Sequence, residues 1–277
     1  MNKIKIMAFD MDNTLLCRDK HLSERNKEAL KEAASRGIEI VPSTGRLPAA
    51  LPEEVMDLGI VNYVISINGS YVFDVKNNKV IYSADMSCDT AIKVMEYLDT
   101  LPTIYDCYCK NEAFMSQRLY DVAADYAQGA YLQMIWKFRQ PVPELKDFVR
   151  EGNKGVQKIQ FFMTDLDLME QVASNLKSMF PNTAVTSSVR NNVEVNDENA
   201  TKGKALMVLA KHLGADASQT MAFGDGSNDR SMLEAAGVAV AMENGREDLK
   251  AIADIIAPDC DESGCAVIIE EYLAGEL

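Results

Sequence analysis

Short apolar runs separated by helical stretches open and close this chain, and a different pattern fills its middle. Ile4, Ile6, Met7, Ala8 and Phe9 form a run that stops abruptly at Asp10. Ile38 to Val41 forms a second run, ending in Pro42-Ser43-Thr44-Gly45-Arg46, and Tyr63 to Ile67 a third, ending in Asn68-Gly69. Short apolar runs bounded by turn residues are the pattern of buried parallel strands. Between the first two, Ser23 can cap a helix running to about Arg36, with Ala29, Leu30, Ala33 and Ala34 on one face and Gly37 to end it. A second helix is expected from about Pro48 to Leu58. Strands alternating with helices in this way argue for a parallel sheet covered by helices.

The rhythm then breaks. Tyr71 to Tyr82 reads as a hairpin turning at Asn77-Asn78. Beyond it come a helix near Asp89–Thr100, strand-like Thr103–Cys109 and Ala113–Ser116, and a helical stretch Arg118–Gln128. An alternating strand Val156–Met163, a helix Leu166–Phe180 and a strand Thr183–Ser187 complete the middle. The opening rhythm returns near Val193, with a helix Thr201–His212, strands Thr220–Phe223 and Val238–Ala241, a helix Ser227–Ala236, a short helix near Glu247–Ala253, a strand Ile255–Ile256 and a last helix from Ser263. The simplest organisation is an α/β core of residues 1–82 and 190–277, with an inserted α/β domain of residues 83–189.

Composition narrows the function. The 277 residues suit two domains, taking ~100–200 residues each. A formal charge of −14 argues against nucleic-acid or anionic-membrane partners, which are themselves negative. No apolar stretch approaches the ~20 residues of a membrane span. Asp10 and Asp12 interrupt the N-terminal apolar segment where a signal peptide would need its core, so that segment is expected to be mature structure. The six cysteines form no Cys-x-x-Cys pair and only two histidines are present. That combination predicts reduced cytoplasmic thiols and no structural zinc.

Asp-x-Asp occurs three times, at Asp10/Asp12, Asp165/Asp167 and Asp259/Asp261. Asp165/Asp167 also follows a strand, Val156–Met163, but only the first copy has a Thr two residues past its second Asp (Thr14) and partner segments elsewhere. Asp165 reads instead as a helix N-cap, and Asp259/Asp261 as solvated loop residues. Thr44-Gly45-Arg46, Thr201-Lys202-Gly203 and Gly224 to Asp229 all end strands or start helices, so a continuous sheet would gather them with Asp10 and Asp12 at one edge. Thr201 as N-cap puts Lys202 in the first helical turn, where the dipole disfavours a cation unless an anion faces it. Gly224 and Gly226 bracket Asp225, allowing a sharp turn and close approach to a ligand, with Ser227 placed to cap the next helix. Four aspartates (10, 12, 225 and 229) exceed what Lys202 can neutralise, and a hard oxygen-liganded ion, Mg2+ above all, resolves the crowding. Ser43-Thr44-Gly45 adds neutral donors suited to phosphate oxygens, and Arg46 is either a substrate contact or a surface salt bridge.

Asp10-Met11-Asp12-Asn13-Thr14, Thr44-Gly45-Arg46, Lys202 and Gly224-Asp225-Gly226-Ser227-Asn228-Asp229 resemble the four ordered motifs of the haloacid dehalogenase-like superfamily. The inserted domain between the second and third motifs, Asn68-Gly69 and Ala241-Met242-Glu243-Asn244 resemble its Cof-type sugar-phosphatase branch. Asn13 stands where that branch usually has Gly, a change a left-handed turn tolerates. Glu243 and Gly245 flank Asn244 where the branch tends to have small residues.

The resemblance implies a Rossmann-like parallel sheet core with an α/β cap, and a Mg2+-dependent phosphatase acting on small phosphorylated metabolites in the cytoplasm. Asp10 would be the nucleophile and Asp12 the acid and base. Asp10, the Asp12 carbonyl and Asp225 would hold the metal, with Asp229 in support. Met11, Thr44, Gly45, Lys202 and Asn228 would hold the phosphoryl oxygens, and Arg46 and Asn68 would reach the substrate. Tyr105, Tyr108, Lys110 and Arg118 are candidates for a substrate-facing cap surface. A phosphomutase with the same nucleophile, and a silent metabolite-binding regulator, are the alternatives.

Overall fold

The computed structural model describes residues 3–187 and 191–277. The chain divides into two compact units, Met1–Tyr82 with Thr201–Leu277, and Ser83–Ala200. The expected junction between residues 189 and 190 lies outside the described residues. Residues 191–200, expected in the core, group instead with the second unit.

In chain order, the first unit opens with β1 (Ile6–Phe9), α1 (Glu24–Ser35), β2 (Glu39–Pro42), α2 (Glu53–Met56), β3 (Tyr63–Ser66), β4 (Tyr71–Asp74) and β5 (Lys79–Ser83). The second unit holds α3 (Cys88–Leu98), β6 (Ile104–Cys109), β7 (Glu112–Ser116), α4 (Gln117–Tyr120), α5 (Gly129–Phe138), β8 (Arg139–Val142), α6 (Leu145–Glu151), β9 (Lys158–Phe162), α7 (Leu166–Met179), β10 (Thr183–Thr186) and β11 (Asn192–Asp197). The first unit then resumes with α8 (Lys202–His212), β12 (Thr220–Gly224), α9 (Arg230–Ala235), β13 (Val238–Met242), α10 (Glu247–Lys250), β14 (Ile255–Ala257) and α11 (Gly264–Ala274). No helix among the described residues is long and apolar enough to cross a membrane.

The sheet of the first unit runs β14-β13-β12-β1-β2 with every pairing parallel. Side chains alternate across it. Met7 and Phe9 pack with Leu30 and Ala33 of α1 and Ile268 and Ile269 of α11. Ile6 and Ala8 pack with Leu206 and Leu209 of α8 and Leu233 of α9. The result is a three-layer, Rossmann-like arrangement. Phe9 pairs with Phe223 in register, and their rings stack at 4.5 Å between centroids. Asp10 and Gly224 therefore leave neighbouring strands at the same level of the sheet.

Several expectations need correction here. β3 does not join the parallel sheet as a full member: it pairs antiparallel with β4 and touches β2 through one bridge, Ser43 to Ile65. The helix expected over Pro48–Leu58 splits into a 3-10 turn, Pro48–Ala50, and the single turn of α2. Pro52 removes a donor and holds Leu51 extended.

The sheet of the second unit runs β10-β11-β9-β6-β7-β8. β11 belongs here because it pairs antiparallel with both β9 and β10. The helix expected over Arg118–Gln128 is broken into α4 and a 3-10 turn, Ala123–Asp125. β8 carries Pro141 and lies at the sheet edge, the position where a strand tolerates proline. Asp165 is a helix N-cap as expected, accepting from Leu168 N at 3.0 Å. One sheet face carries two buried ion pairs, Arg139 with Asp106 at 3.0 Å and Lys158 with Glu194 at 2.8 Å.

The candidate cap residues are largely committed within this unit. Tyr105 is buried and donates to Asp99 at 2.8 Å, while Tyr108 is buried and accepts from Arg139 at 3.0 Å. Arg118 pairs with Asp99 and Glu144, and Lys110 sits in a left-handed turn.

Candidate active site

Asp10 follows β1 directly, and its N–H donates to Phe223 O at 3.0 Å, so the strand pairing itself fixes where its side chain starts. The chain then turns back: Leu15 N and Leu16 N donate to Asp10 O and Met11 O, and Asn13 takes the left-handed conformation (φ 64°) this requires. The turn is pinned from the far end of the unit. Asn244 Nδ2 donates to Asn13 O at 2.8 Å, while its Oδ1 accepts from Cys260 N at 2.9 Å. Asn244 is thus a structural tie for the loop.

Lys202 reaches the loop from the start of α8. Thr201 caps that helix by accepting from Lys204 N at 3.2 Å, and the Lys202 ammonium lies 2.6 Å from both Asp10 Oδ1 and Asp229 Oδ1. Both the lysine and Asp229 are fully buried. Close packing makes this reach possible: a Cβ on Gly203 would lie 2.0 Å from Ser231 O, so only glycine lets α8 approach α9 here.

Asp229 organises the next loop. Its Oδ2 accepts from Asp225 N at 3.0 Å and Gly226 N at 2.9 Å, closing a 3-10 turn over Ser227–Asp229 before α9 begins. Asp229, and not Ser227, is the residue that satisfies these loop donors. A Cβ on Gly224 would lie 2.4 Å from the Asp229 Cβ, so the glycine is needed for this fold-back. Thr14 then donates to Asp225 Oδ1 at 2.9 Å and ties the first loop to this one.

The third segment enters from β2. Thr44 N donates to Ile65 O at 2.9 Å and Thr44 Oγ1 accepts from Arg46 N at 3.2 Å. Asn68, left-handed at φ 57°, donates its N–H to Thr44 O at 3.0 Å and accepts from Asn228 Nδ2 at 3.3 Å. A Cβ on Gly45 would lie 2.7 Å from Asn68 Oδ1. Arg46 forks onto Asp12, with Nε 2.9 Å from Oδ2 and NH2 2.5 Å from Oδ1, and Lys20 adds a third contact at 3.1 Å. Of the two roles expected of it, Arg46 forms the salt bridge, a partly buried one inside the site. It is the partner of the second aspartate.

The electrostatics separate the aspartates. Burial, with the charges of Asp229 and Asp225, pushes the Asp10 carboxyl well above the usual range, against the opposing pull of Lys202. Burial and the Asp229 charge push Asp225 up to about 6. Burial would also raise Asp12, but the Arg46 fork and Lys20 outweigh it and hold that carboxyl below its ordinary value. Burial works against the Lys202 charge, yet Asp10 and Asp229 hold the ammonium above its usual range.

Three carboxylates around one ammonium leave an excess of buried negative charge, which is what a divalent cation would cancel. Oxygens of Asp10, Asp225 and Asp229 lie within 4.8 Å of one another. Both Asp229 oxygens are spent on Lys202 and the loop N–H groups. One oxygen of Asp10 and one of Asp225 have no protein partner among the described residues. Hard oxygen donors in that number suit an ion that binds one or two carboxylates and completes its shell with water and phosphate. The residues fit Mg2+.

The described structure thus gathers Asp10, Met11, Asp12, Thr44, Gly45, Arg46, Asn68, Lys202, Asp225, Asn228 and Asp229 at the carboxyl ends of β1, β2, β3 and β12. The sequence reading missed Lys20, whose position in an irregular turn carries no signal. Asp259 and Asp261 are solvent-accessible loop residues as expected, and an exposed Arg18 pairs with both there, at 2.6 Å and 2.5 Å.

A family model described as haloacid dehalogenase-like hydrolase matches residues 7–269. The chain is similar to the phosphatase YwpJ of Bacillus subtilis, 30% identical over 98% of this chain and all of that one. It is also similar to the 5-amino-6-(5-phospho-D-ribitylamino)uracil phosphatase YwtE of Bacillus subtilis, 30% identical over 99% of each. Among solved structures, the subclass IIB sugar phosphatase BT4131 superposes with a TM-score of 0.81 at 25% identity, covering 97% of this chain and 98% of that one.

Proposed function

The chain belongs to the haloacid dehalogenase-like hydrolases, in their Cof-type branch, and is a phosphatase; from that premise we propose that it is Mg2+-dependent and hydrolyses small phosphorylated metabolites, sugar phosphates first among them, through an aspartyl-phosphate. The observation that carries this reading is the Asp10 carboxylate. It is buried, held on one oxygen by Lys202 at 2.6 Å, and left with its second oxygen unpartnered among the described residues.

In the first step the free Asp10 oxygen forms a bond to phosphorus while the bond from phosphorus to the leaving oxygen breaks. Asp12 supplies the proton that the departing alkoxide takes up. In the second step water attacks phosphorus, Asp12 takes its proton, and the Asp10–phosphorus bond breaks to give phosphate and free carboxylate. Asp12 is held ionised by Arg46 and Lys20, so its turn as acid requires that fork to let go when substrate arrives. Arg46 is then free to face the substrate, with Asn68 beside it.

Lys202, the N–H groups of Met11 and Gly45, Thr44 and Asn228 are the donors for the phosphoryl oxygens, where charge spreads in the transition state. Asp10, Asp225 and the Asp12 carbonyl would hold Mg2+, with Asp229 fixing the Asp225 loop. When bound, the ion offsets the excess carboxylate charge and draws charge from the phosphoryl oxygens. In this reading the second unit is the cap that selects the leaving group, and the protein works in the cytoplasm. The sugar phosphatase and the ribitylaminouracil phosphatase among its relatives support a small phosphorylated alcohol as substrate.

The test is acid quenching during turnover of a radiolabelled phosphate ester, followed by peptide mapping. A hydroxylamine-labile phosphoryl group on the peptide containing Asp10 is expected. Turnover with label on no peptide, or on a peptide lacking Asp10, would refute the mechanism.

A further inference from the structure

We propose that the turn Cys17–His21 of the first unit is a binding site for a divalent transition-metal ion of the Zn2+ kind, separate from the carboxylates assigned to Mg2+. One ligand atom from each of Cys17, Asp19 and His21 lies within 4.8 Å of the other two. The backbone sets this up. Cys17 N donates to His21 O at 3.0 Å and Lys20 N to Cys17 O at 2.9 Å, closing a tight turn in which Lys20 is left-handed (φ 73°). Closure brings Cys17 and His21 together, with Asp19 midway between them in the chain. The His21 ring and the Asp19 carboxylate already share a hydrogen bond at Nδ1. The two cations of the turn are committed to other carboxylates, Lys20 to Asp12 and Arg18 to Asp259 and Asp261.

The donor set selects the ion. A thiolate and an imidazole with one carboxylate suit Zn2+, Co2+ or Ni2+, whereas Mg2+ prefers oxygen alone. Three ligands from one turn leave a position for water, unlike the closed four-ligand sites that hold a fold together. Asp19 and His21 are exposed, so an ion can reach them, and the buried Cys17 keeps its sulfur within the same 4.8 Å. In the protein alone that thiol has only a weak contact, 3.6 Å from Cys260 O. Burial, then the charges of Asp261 and Asp19, push it above its usual range. A bound cation offsets this, because the acids that disfavour a bare thiolate attract the ion. An ion here would also hold in place the turn that carries Lys20 to Asp12, 3.1 Å away.

The site does not depend on the chemistry assigned to Asp10. The experiment titrates the full reduced chain with Co2+ in excess Mg2+ and reads the thiolate-to-cobalt charge-transfer band, which carboxylate ligands alone cannot give. Zn2+ then displaces Co2+, and the competition gives its affinity. Wild type, Cys17→Ser and His21→Gln are compared. His21 is exposed, so His21→Gln keeps the test open even where Cys17→Ser folds poorly, and melting curves check both.

The expected result is a saturable thiolate band in wild type that Zn2+ removes and that Cys17→Ser lacks. His21→Gln should weaken Zn2+ binding at least about tenfold, since losing even a ligand's hydrogen-bond partner costs metal sites that much. Three results would each overturn the proposal: no thiolate band at saturating Co2+, a band that survives in folded Cys17→Ser, or Zn2+ binding to His21→Gln as tightly as to wild type.

Discussion

Replacing Lys202 with methionine removes the buried cation that bridges Asp10 and Asp229. Methionine keeps most of the side-chain volume, so the change is mainly one of charge. The ammonium lies 2.6 Å from each of Asp10 and Asp229, with no solvent exposure. Removing one partner of a buried ion pair costs ~3–5 kcal/mol, because the remaining charge has no compensation. Two carboxylates lose their partner here, but Asp10 can limit the damage by taking up a proton. A net loss of about 3 kcal/mol at pH 8 is therefore expected, measured by urea unfolding of full-length protein in chelator. The sign of the pH dependence follows from the same groups. A carboxyl whose native pKa lies above its unfolded value binds more protons in the native state, so stability falls as pH rises. For Asp225 that window runs from 3.8 to about 6, and it extends upward for Asp10. The deficit of the variant should thus shrink by ~1 kcal/mol or more at pH 5.5, about one proton's worth per pH unit. A variant as stable as wild type at pH 8, or equally destabilised at both pH values, would refute the reasoning.

Asp10→Asn should do the opposite in chelator, raising the melting temperature at pH 8 by relieving like charge, while shrinking the stabilisation that added Mg2+ gives; differential scanning calorimetry reads both. Gly203→Ala places a methyl 2.0 Å from Ser231 O and should cost ~3 kcal/mol, whereas Gly214→Ala, in open space at φ +66°, should cost only ~1 kcal/mol; parallel urea curves decide. In the second unit, burial would raise the Asp99 carboxyl, but Lys146, Tyr105 and Arg118 together hold it below 3.8. Its contribution is present above that pH and lost as pH falls through its lower native value, so Asp99→Asn should flatten the decline of melting temperature below pH 4.

The parts of this fold that the sequence made legible are those where one local rule decides. Ser23, Asp165 and Thr201 all act as N-caps because a short polar side chain before an apolar helical face has few other uses. The site segments were legible because β1 and β12 are apolar on both faces, so their ends had to carry the polar residues. What stayed hidden depends on pairing between distant segments. Nothing in Asn192–Asp197 says that it pairs with β9 rather than with the parallel sheet. Asp229 looks like one more loop acid until its two oxygens are seen to take different partners. Arg46 and Asp12 are 34 residues apart, and their fork depends on a turn geometry that no periodicity encodes. Tyr105 and Tyr108 were offered as surface residues, but strand alternation in a sheet buried on both faces leaves neither exposed.

The most direct test of the central claim is phosphate release across a panel of phosphorylated metabolites, with Mg2+ or with chelator, for wild type and Asp10→Asn. The account predicts release that needs Mg2+ and is abolished in Asp10→Asn. Release that persists in the Asp10→Asn protein, or in chelator, would contradict it.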